Sequence, residues 1–397
     1  MHVQLDSSVS SMSIKKKNLF LLFVVLSTFE ISYLSFISLP IKIIYLLLQS
    51  IVIFLGMVNI FSNKEYDFSD IILIGFIIVE FISTILNHEG LKELILNTKT
   101  LLLLYISFKW AIRLRLPVYI NYMAWYLLSI TVVNTLTAIA CYPNALFYYD
   151  EFAPAFLIGA DNTSTRIYIL TVAFSALKNY IGNVNKSNVM TLVSIFNFII
   201  YSFVRDIGNG KVCSILFIVS YIAFELLRFN MIDRCLRKIV FSNYILCFFM
   251  VVLNKIDIFS FIIVDLLNRD LTLTTRTTIW SITVAKVLDN PWLGNGYMSG
   301  ENFENMLPSI IGINAHNTIL MIAFIGGLIL SLLFYFCIMS LISEYDKNYE
   351  NKKIWILPIA FCALFLRSQV EGGDGVYLIA MAALVSSVAW WNTRRCT

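Results

Sequence analysis

Charge is scarce in this chain. Asp, Glu, Lys and Arg make up 14% of its 397 residues, against roughly 25% in an ordinary soluble domain, which excludes a water-soluble globular protein of the usual build. Paired cysteines are missing as well. The seven cysteines (141, 213, 235, 247, 337, 362 and 396) lie apart with no Cys-x-x-Cys spacing, so neither a structural zinc site nor a disulfide framework is indicated. Histidine is limited to three positions. Strand-like alternation, sharp internal repeats, low-complexity linkers and a second soluble domain are all lacking. The net charge of +4 is spread over many short segments, which is topology signalling and not a nucleic-acid footprint.

What the chain has in abundance is apolar. Hydrophobic residues make up 59% of it, and stretches long enough to cross about 30 Å of hydrocarbon recur from end to end. A bilayer admits only helices or closed barrels, and without alternation the expectation is an all-α integral membrane protein. The pattern predicts about twelve spans, near 18–38, 41–62, 69–87, 98–112, 118–141, 165–183, 187–205, 211–227, 239–256, 317–342, 354–368 and 376–391, in a single polytopic domain over 1–397. Lys15, Lys16 and Lys17 precede a span of full length with no small-residue cleavage site after it, so the first span is expected to remain as an anchor. With the N-terminus inside, most of the 29 basic residues fall in short cytoplasmic segments, among them Lys109, Arg113, Arg115, Arg394 and Arg395. The positive-inside rule therefore puts both termini in the cytoplasm.

Two external segments collect the polar residues. The first, 141–165, is rich in Tyr, Phe and acid; its aromatics suit either sugar stacking or an interfacial girdle. The second, 257–316 between the ninth and tenth spans, reads as structured. Thr274 or Thr275 can cap a helix carrying Ile279, Trp280, Ile282, Val284, Val287 and Leu288 at 3.6-residue spacing, and Asp289-Asn290-Pro291 stops it. A glycine-rich turn, WLGNGYMSG, leads to a second amphipathic stretch with Phe303, Met306, Leu307 and Ile310 on one face. Gly294, Gly296 and Gly300 miss the Gly-x-Gly-x-x-Gly spacing, which argues against a nucleotide site.

Three residues stand out near the outer face: Arg205 at the end of a span, Arg276 in the first turn of the loop helix, and His316 at the mouth of the tenth span. Taken singly, each suits a snorkelling anchor or a cap. Together, two permanently charged forks and an imidazole are the parts needed to hold a diphosphate and deprotonate a hydroxyl, with no metal or other cofactor. Arg166, Arg367, Gln369, Glu371 and Asp374 are further polar residues at that face. Glu30 and Glu80 fall inside spans, either as functional groups or as partners of Lys42 or of a neighbouring helix.

The run from TTRTTIW through NPWLGNGY to AHNTIL resembles the O-antigen ligase/polymerase family of bacterial envelope glycosyltransferases. In that family an Arg four residues before a Trp opens the external loop, matched by Arg276 and Trp280. A His-Asn pair closes it and a Gly follows with nine residues between, matched by His316, Asn317 and Gly327. The earlier family arginine corresponds to Arg205, although the family commonly has Ser-Arg-Gly where this chain has Val204, Arg205 and Asp206. The motifs cover about 200–330.

The resemblance implies a GT-C-like fold and metal-independent, inverting transfer of a glycan from undecaprenyl diphosphate to an acceptor hydroxyl on the outer face of the membrane. His316 would be the general base, and Arg205 and Arg276 would hold the diphosphate. Trp280, Asn317, Arg166, Arg367, Glu371 and Asp374 would contribute more weakly to substrate binding. Partners would be the lipid-linked donor and acceptor, membrane lipid, and a flippase and chain-length regulator of the same pathway. Two reactions fit. A polymerase joins repeat units to one another; a ligase hands finished polymer to a lipid A core. Thr-Thr-Arg-Thr before Trp280 is closer to the polymerase form, and Leu330 stands where some ligases carry Gly, Thr or Tyr. A flippase or other transporter would instead show paired repeats and discontinuous helices meeting at the midplane.

Overall fold

The computed structural model describes residues 14–62, 66–88, 90–149, 154–181, 188–227, 236–253, 276–307, 314–347 and 355–396. Over these the chain is an all-α membrane protein. Its helices are α1 (Ile14–Thr28), α2 (Ser32–Ile37), α3 (Leu39–Ser62), α4 (Phe68–Leu86), α5 (Leu91–Ile106), α6 (Ile112–Leu114) and α7 (Leu116–Cys141). Then come α8 (Asp161–Ile181), α9 (Val189–Val204), α10 (Gly208–Tyr221), α11 (Leu236–Cys247), α12 (Arg276–Asp289), α13 (Gly300–Asn305), α14 (Thr318–Lys347), α15 (Ile356–Ser368) and α16 (Gly375–Cys396).

Among the described residues, α3, α4, α7 and the 318–343 part of α14 are long and apolar enough to cross a membrane, and α9, α15 and 375–391 of α16 are shorter apolar helices. Each predicted span contains a helix. The apolar runs did this work: a run that cannot hydrogen-bond to water satisfies its backbone internally. The predicted caps Thr274 and Thr275, and Ile310, lie outside the described residues, while the loop helix itself begins at Arg276 and stops at Asp289 as the sequence indicates.

Three features depart from the expected string of continuous helices. The expected absence of strands is corrected by a small antiparallel sheet, β1 (Phe147–Tyr148), β2 (Pro154–Phe156) and β3 (Gly159–Ala160), with Phe147 facing Ala155 and Phe156 facing Gly159. Strands of two or three residues are too short to leave a period-two signal. The first span is also broken. Helix α1 ends at Thr28, α2 starts at Ser32, and Glu30 lies between them. Backbone groups at the break find distant partners: the Tyr126 hydroxyl donates to Phe29 O at 2.6 Å, and Tyr33 N–H donates to Leu157 O at 3.1 Å, which ties α2 to the sheet.

The third departure is in α14. Gly326 (φ −129°, ψ 18°) and Gly327 (φ 65°, ψ −159°) interrupt the helix, and the turn after α12 docks into the gap. Asn295 N–H donates to Phe324 O at 2.7 Å, Gly296 N–H to Ile325 O at 2.9 Å, and Leu328 N–H to Pro291 O at 2.8 Å. Each unsatisfied backbone group in a membrane interior costs several kcal/mol, so the broken helix and the irregular turn satisfy each other. Close approach explains the glycines. A Cβ on Gly294, whose φ is 66°, would lie 2.5 Å from Phe324 O, and one on Gly327 would lie 2.4 Å from Trp292 O. Glu80 of α4 ends in the same place, where it accepts the Tyr297 hydroxyl at 3.0 Å. This is an interhelical hydrogen bond, one of the two accounts its position allowed.

Candidate active site

Arg276, His316 and Glu371 meet at one end of the helices. Arg276 opens α12, and its NH2 lies 3.5 Å from Glu371 Oε1. Glu371 belongs to the turn 369–374 between α15 and α16, and it also accepts the Asn209 side chain at 3.1 Å. Asn209 is in the first turn of α10, four residues beyond Arg205. Three polar corners of the fold are thus joined through one carboxylate.

The residues around His316 hold the turn in place. Asn317 is fully buried; its amide nitrogen donates to Gln369 O at 3.1 Å, and its carbonyl oxygen accepts Leu320 N–H at 3.0 Å, capping α14. Thr318 donates to Glu371 O at 2.6 Å and accepts Asp374 N–H. Gln369 in turn donates to Asn243 of α11. His316 sits just ahead of these fasteners with φ 48°, a left-handed conformation rare outside glycine. Its own N–H is held by Asn314 Oδ1 at 2.7 Å. Its imidazole Nδ1 is out of reach of solvent and has no partner among the described residues. Burial, and secondarily the Arg276 charge, lower the His316 pKa from 6.5 to about 4, so at neutral pH the ring is uncharged and free to accept a proton.

Arg205 ends α9 and is ion-paired to Asp161, the first residue of α8, at 3.0 Å through both Nε and NH2; both side chains are largely buried. Its NH1 reaches Pro143 O and Asn144 O at 3.4 Å, and its guanidinium lies 4.7 Å from the centre of the Phe156 ring. It therefore stands at the neighbouring corner, between the small sheet and the 205–209 turn, linked to Arg276 through Asn209 and Glu371. The position where the family commonly has Gly is Asp206, whose φ of 51° is again left-handed. The family glycine thus meets a conformational demand, which Asp tolerates better than most side chains do.

The weaker candidates divide. Glu371 contacts Arg276 directly. Arg166 donates through NH1 to Gly373 O at 3.5 Å and stacks 4.2 Å from the Tyr377 ring, leaving a buried Nε without a partner among the described residues. Arg367 and Asp374 are fully buried and paired to each other, and Arg367 also donates to Asn162 O at 2.7 Å. Trp280 is 1% exposed. Asn317, Trp280, Arg367 and Asp374 are thus buried in the fold, and Trp280 Nε1, Arg367 Nε and Asp374 Oδ2 have no partner among the described residues.

Sequence reasoning missed Asp161 and Asn209, whose partners lie 44 and 162 residues away and leave no local pattern. The Asn314-x-His316 spacing was the one available hint, since Asn side chains favour backbone N–H groups two residues on.

Residues 209–335 match the family described as O-antigen ligase. The matched stretch holds Arg276, Trp280, His316, Asn317 and Gly327, and begins just after Arg205. Among curated proteins none matches the chain. Over 209–335, about a third of its length, this helical membrane protein is similar to the O-antigen ligase family.

Proposed function

We propose that the chain polymerises oligosaccharide repeat units carried on undecaprenyl diphosphate, on the outer face of a bacterial inner membrane, by metal-independent inverting transfer. In this reading the chain is one polytopic GT-C-like domain of about twelve spans, with cytoplasmic termini and a large external loop over 257–316. A flippase would supply the units and a chain-length regulator would limit the product.

The observation that carries the proposal is the buried, unpartnered imidazole Nδ1 of His316 at the corner that Arg276 and Glu371 share. The acceptor hydroxyl gives its proton to His316 as its oxygen bonds to the donor sugar C1. The bond from C1 to the phosphate oxygen breaks, and its electron pair leaves with undecaprenyl diphosphate. A single displacement inverts the anomeric centre. Negative charge grows on the leaving group only as the bond breaks, so fixed cations facing it favour the transition state over the ground state. The Arg276–Glu371 contact is long at 3.5 Å, and bidentate phosphate oxygens offer the guanidinium shorter, charge-assisted bonds. Arg205, already oriented by Asp161, supports the same diphosphate from the adjoining corner.

A ligase is the second reading, favoured by the description of the matched family. One gel separates the two. Surface glycan is compared between a strain lacking the gene, the complemented strain and one carrying His316→Ala. Single repeats still attached to the acceptor, with the ladder gone, mean polymerase. Accumulated lipid-linked polymer with nothing attached means ligase. A normal ladder from the mutant removes His316 from the role of base.

A further inference from the structure

A cavity of about 460 Å³ opens where α1 breaks from α2, apart from the His316 corner. Its walls include Glu30, Lys42, Gln49, Lys99, Arg166 and Tyr377, so three cations face one carboxylate. Lys99 is held in place by a 2.9 Å bond to Gln49 Oε1, and Gln49 is fixed by its own donation to Ser27 O at 3.3 Å. Two polar atoms in the wall are left without partners among the described residues: Ser35 Oγ, on a side chain only 9% exposed, and Arg166 Nε. Four aromatic residues are also among the walls: Phe29, Phe36, Tyr149, and Tyr377 under the Arg166 guanidinium at 4.2 Å.

Lys99 and Arg166 are half-buried against the single carboxylate of Glu30, and cations in such excess, together with unpartnered polar atoms, are costly in a membrane protein unless something completes them. An anion does so, and the aromatic walls suit a sugar ring beside it. The position is informative too. Arg166 reaches Gly373 O, while a Cβ on the adjacent Gly372 would lie 3.4 Å from His316 N. The 369–374 turn therefore has the cavity on one side and the His316 corner on the other.

We propose that this cavity is a second phosphate-recognising site, which takes the diphosphate end of a lipid-linked acceptor saccharide across the turn from His316. The assignment to an acceptor rests on the polymerase reading; the anion site itself does not. A polymerase has two lipid diphosphates to hold at once, and two separate cationic sites keep the donor leaving group from competing with the acceptor.

The test is equilibrium binding of geranyl diphosphate to the full chain in nanodiscs, with inorganic pyrophosphate as a parallel probe. The wild type is expected to bind two equivalents. Lys42→Gln/Lys99→Gln should retain one and lose the other by tenfold or more in affinity, and Arg276→Gln should show the reverse. Lys42→Gln alone, at an exposed position, gives a smaller loss of the same equivalent and serves if the double variant does not fold. Two equivalents persisting in the lysine variants would overturn the proposal. A single equivalent lost only in the lysine variants would support the cavity and remove the diphosphate from Arg276. A single equivalent lost only in Arg276→Gln would overturn the cavity and spare the function proposed above. Equal affinity for inorganic pyrophosphate would assign the cavity to free phosphate and overturn the acceptor role.

Discussion

The two ends of the helices each carry a buried polar cluster, and the clusters are built to opposite rules. At one end Lys109, in the π-helical turn Ser107–Ala111 that follows α5, reaches Asp67 Oδ1, Ser69 Oγ and Asp70 Oδ2 at 2.8 Å and the Tyr105 hydroxyl at 2.9 Å. Asp67 and Asp70 also form a capping box at the start of α4. The lysine ammonium is surrounded by oxygen and closed off. At the other end, His316 Nδ1, Arg166 Nε and Ser35 Oγ have no partner among the described residues, and Arg276 lies 3.5 Å from Glu371. A closed cluster holds a fold together; an open one leaves room for a ligand to finish it.

The largest effect separates the clusters directly. His316→Ala removes the proposed base while leaving the fasteners Asn317 and Thr318 in place, so transfer should fall by about 10²–10⁴ with thermal stability nearly unchanged. That is read as glycan ladder intensity against a melting curve on the purified protein. Comparable losses of stability and activity would mean that His316 is a structural cap like its neighbours.

Lys109→Met should do the opposite. Taking away Lys109 leaves the Asp70 carboxylate, 10% exposed, without its counter-charge at a cost of about 3–5 kcal/mol, while Asp67, 43% exposed, stays in contact with water. The melting temperature should drop strongly, while the protein that remains folded should transfer glycan at the wild-type rate per molecule. Full stability in this variant would show that water reaches Asp70 as well as Asp67 and that the cluster is not closed.

The pH dependence sharpens the same contrast. A base works only when deprotonated, so a pKa lowered from 6.5 to about 4 extends activity downward. The acid limb of kcat/KM, which reports the free enzyme, should fall near pH 4. Arg276→Gln removes the smaller of the two causes, so in that variant the residual activity should show a limb moved upward yet still below 6.5, because burial remains. A wild-type limb at 6.5 would place the ring in water.

Much of this was legible in the sequence, for physical reasons that differ by element. Apolar runs mark helices wherever lipid or core demands them, so the cores of the expected spans are helical. The break at Glu30 and the docking of 291–296 into α14 were not legible, because both depend on backbone bonds between segments far apart in the chain. Lys109 misleads for the same reason: counted as a loop charge, it is 4% exposed. At the candidate site, the motif singled out Arg276 and His316. It could not say that Asn317 faces inward or that Glu371 joins Arg276 to the 205–209 turn, since those depend on α10, α14 and the 369–374 turn meeting in space.

The smallest expected effect bears on Arg205, the member of the site outside the matched stretch. Asp206 holds the left-handed conformation that ends α9 and turns the chain toward Asn209. A left-handed L-residue costs about 1–2 kcal/mol. Glycine removes that strain but loses more backbone entropy on folding, roughly 0.5–1 kcal/mol, and it gives up the ion pair with Lys211. Because the Asp206 side chain is 71% exposed, that pair contributes about 0–1 kcal/mol. These contributions nearly cancel, so Asp206→Gly should melt close to the wild type and keep the full glycan ladder. Asp206→Val, with a β-branched side chain in the same conformation, should lose stability and shorten the ladder by shifting Arg205 away from Asp161. If instead the glycine variant lost the ladder and melted normally, the Asp206 carboxylate itself would be needed for transfer, and the turn would belong to the open cluster as a ligand-facing element and not as its frame.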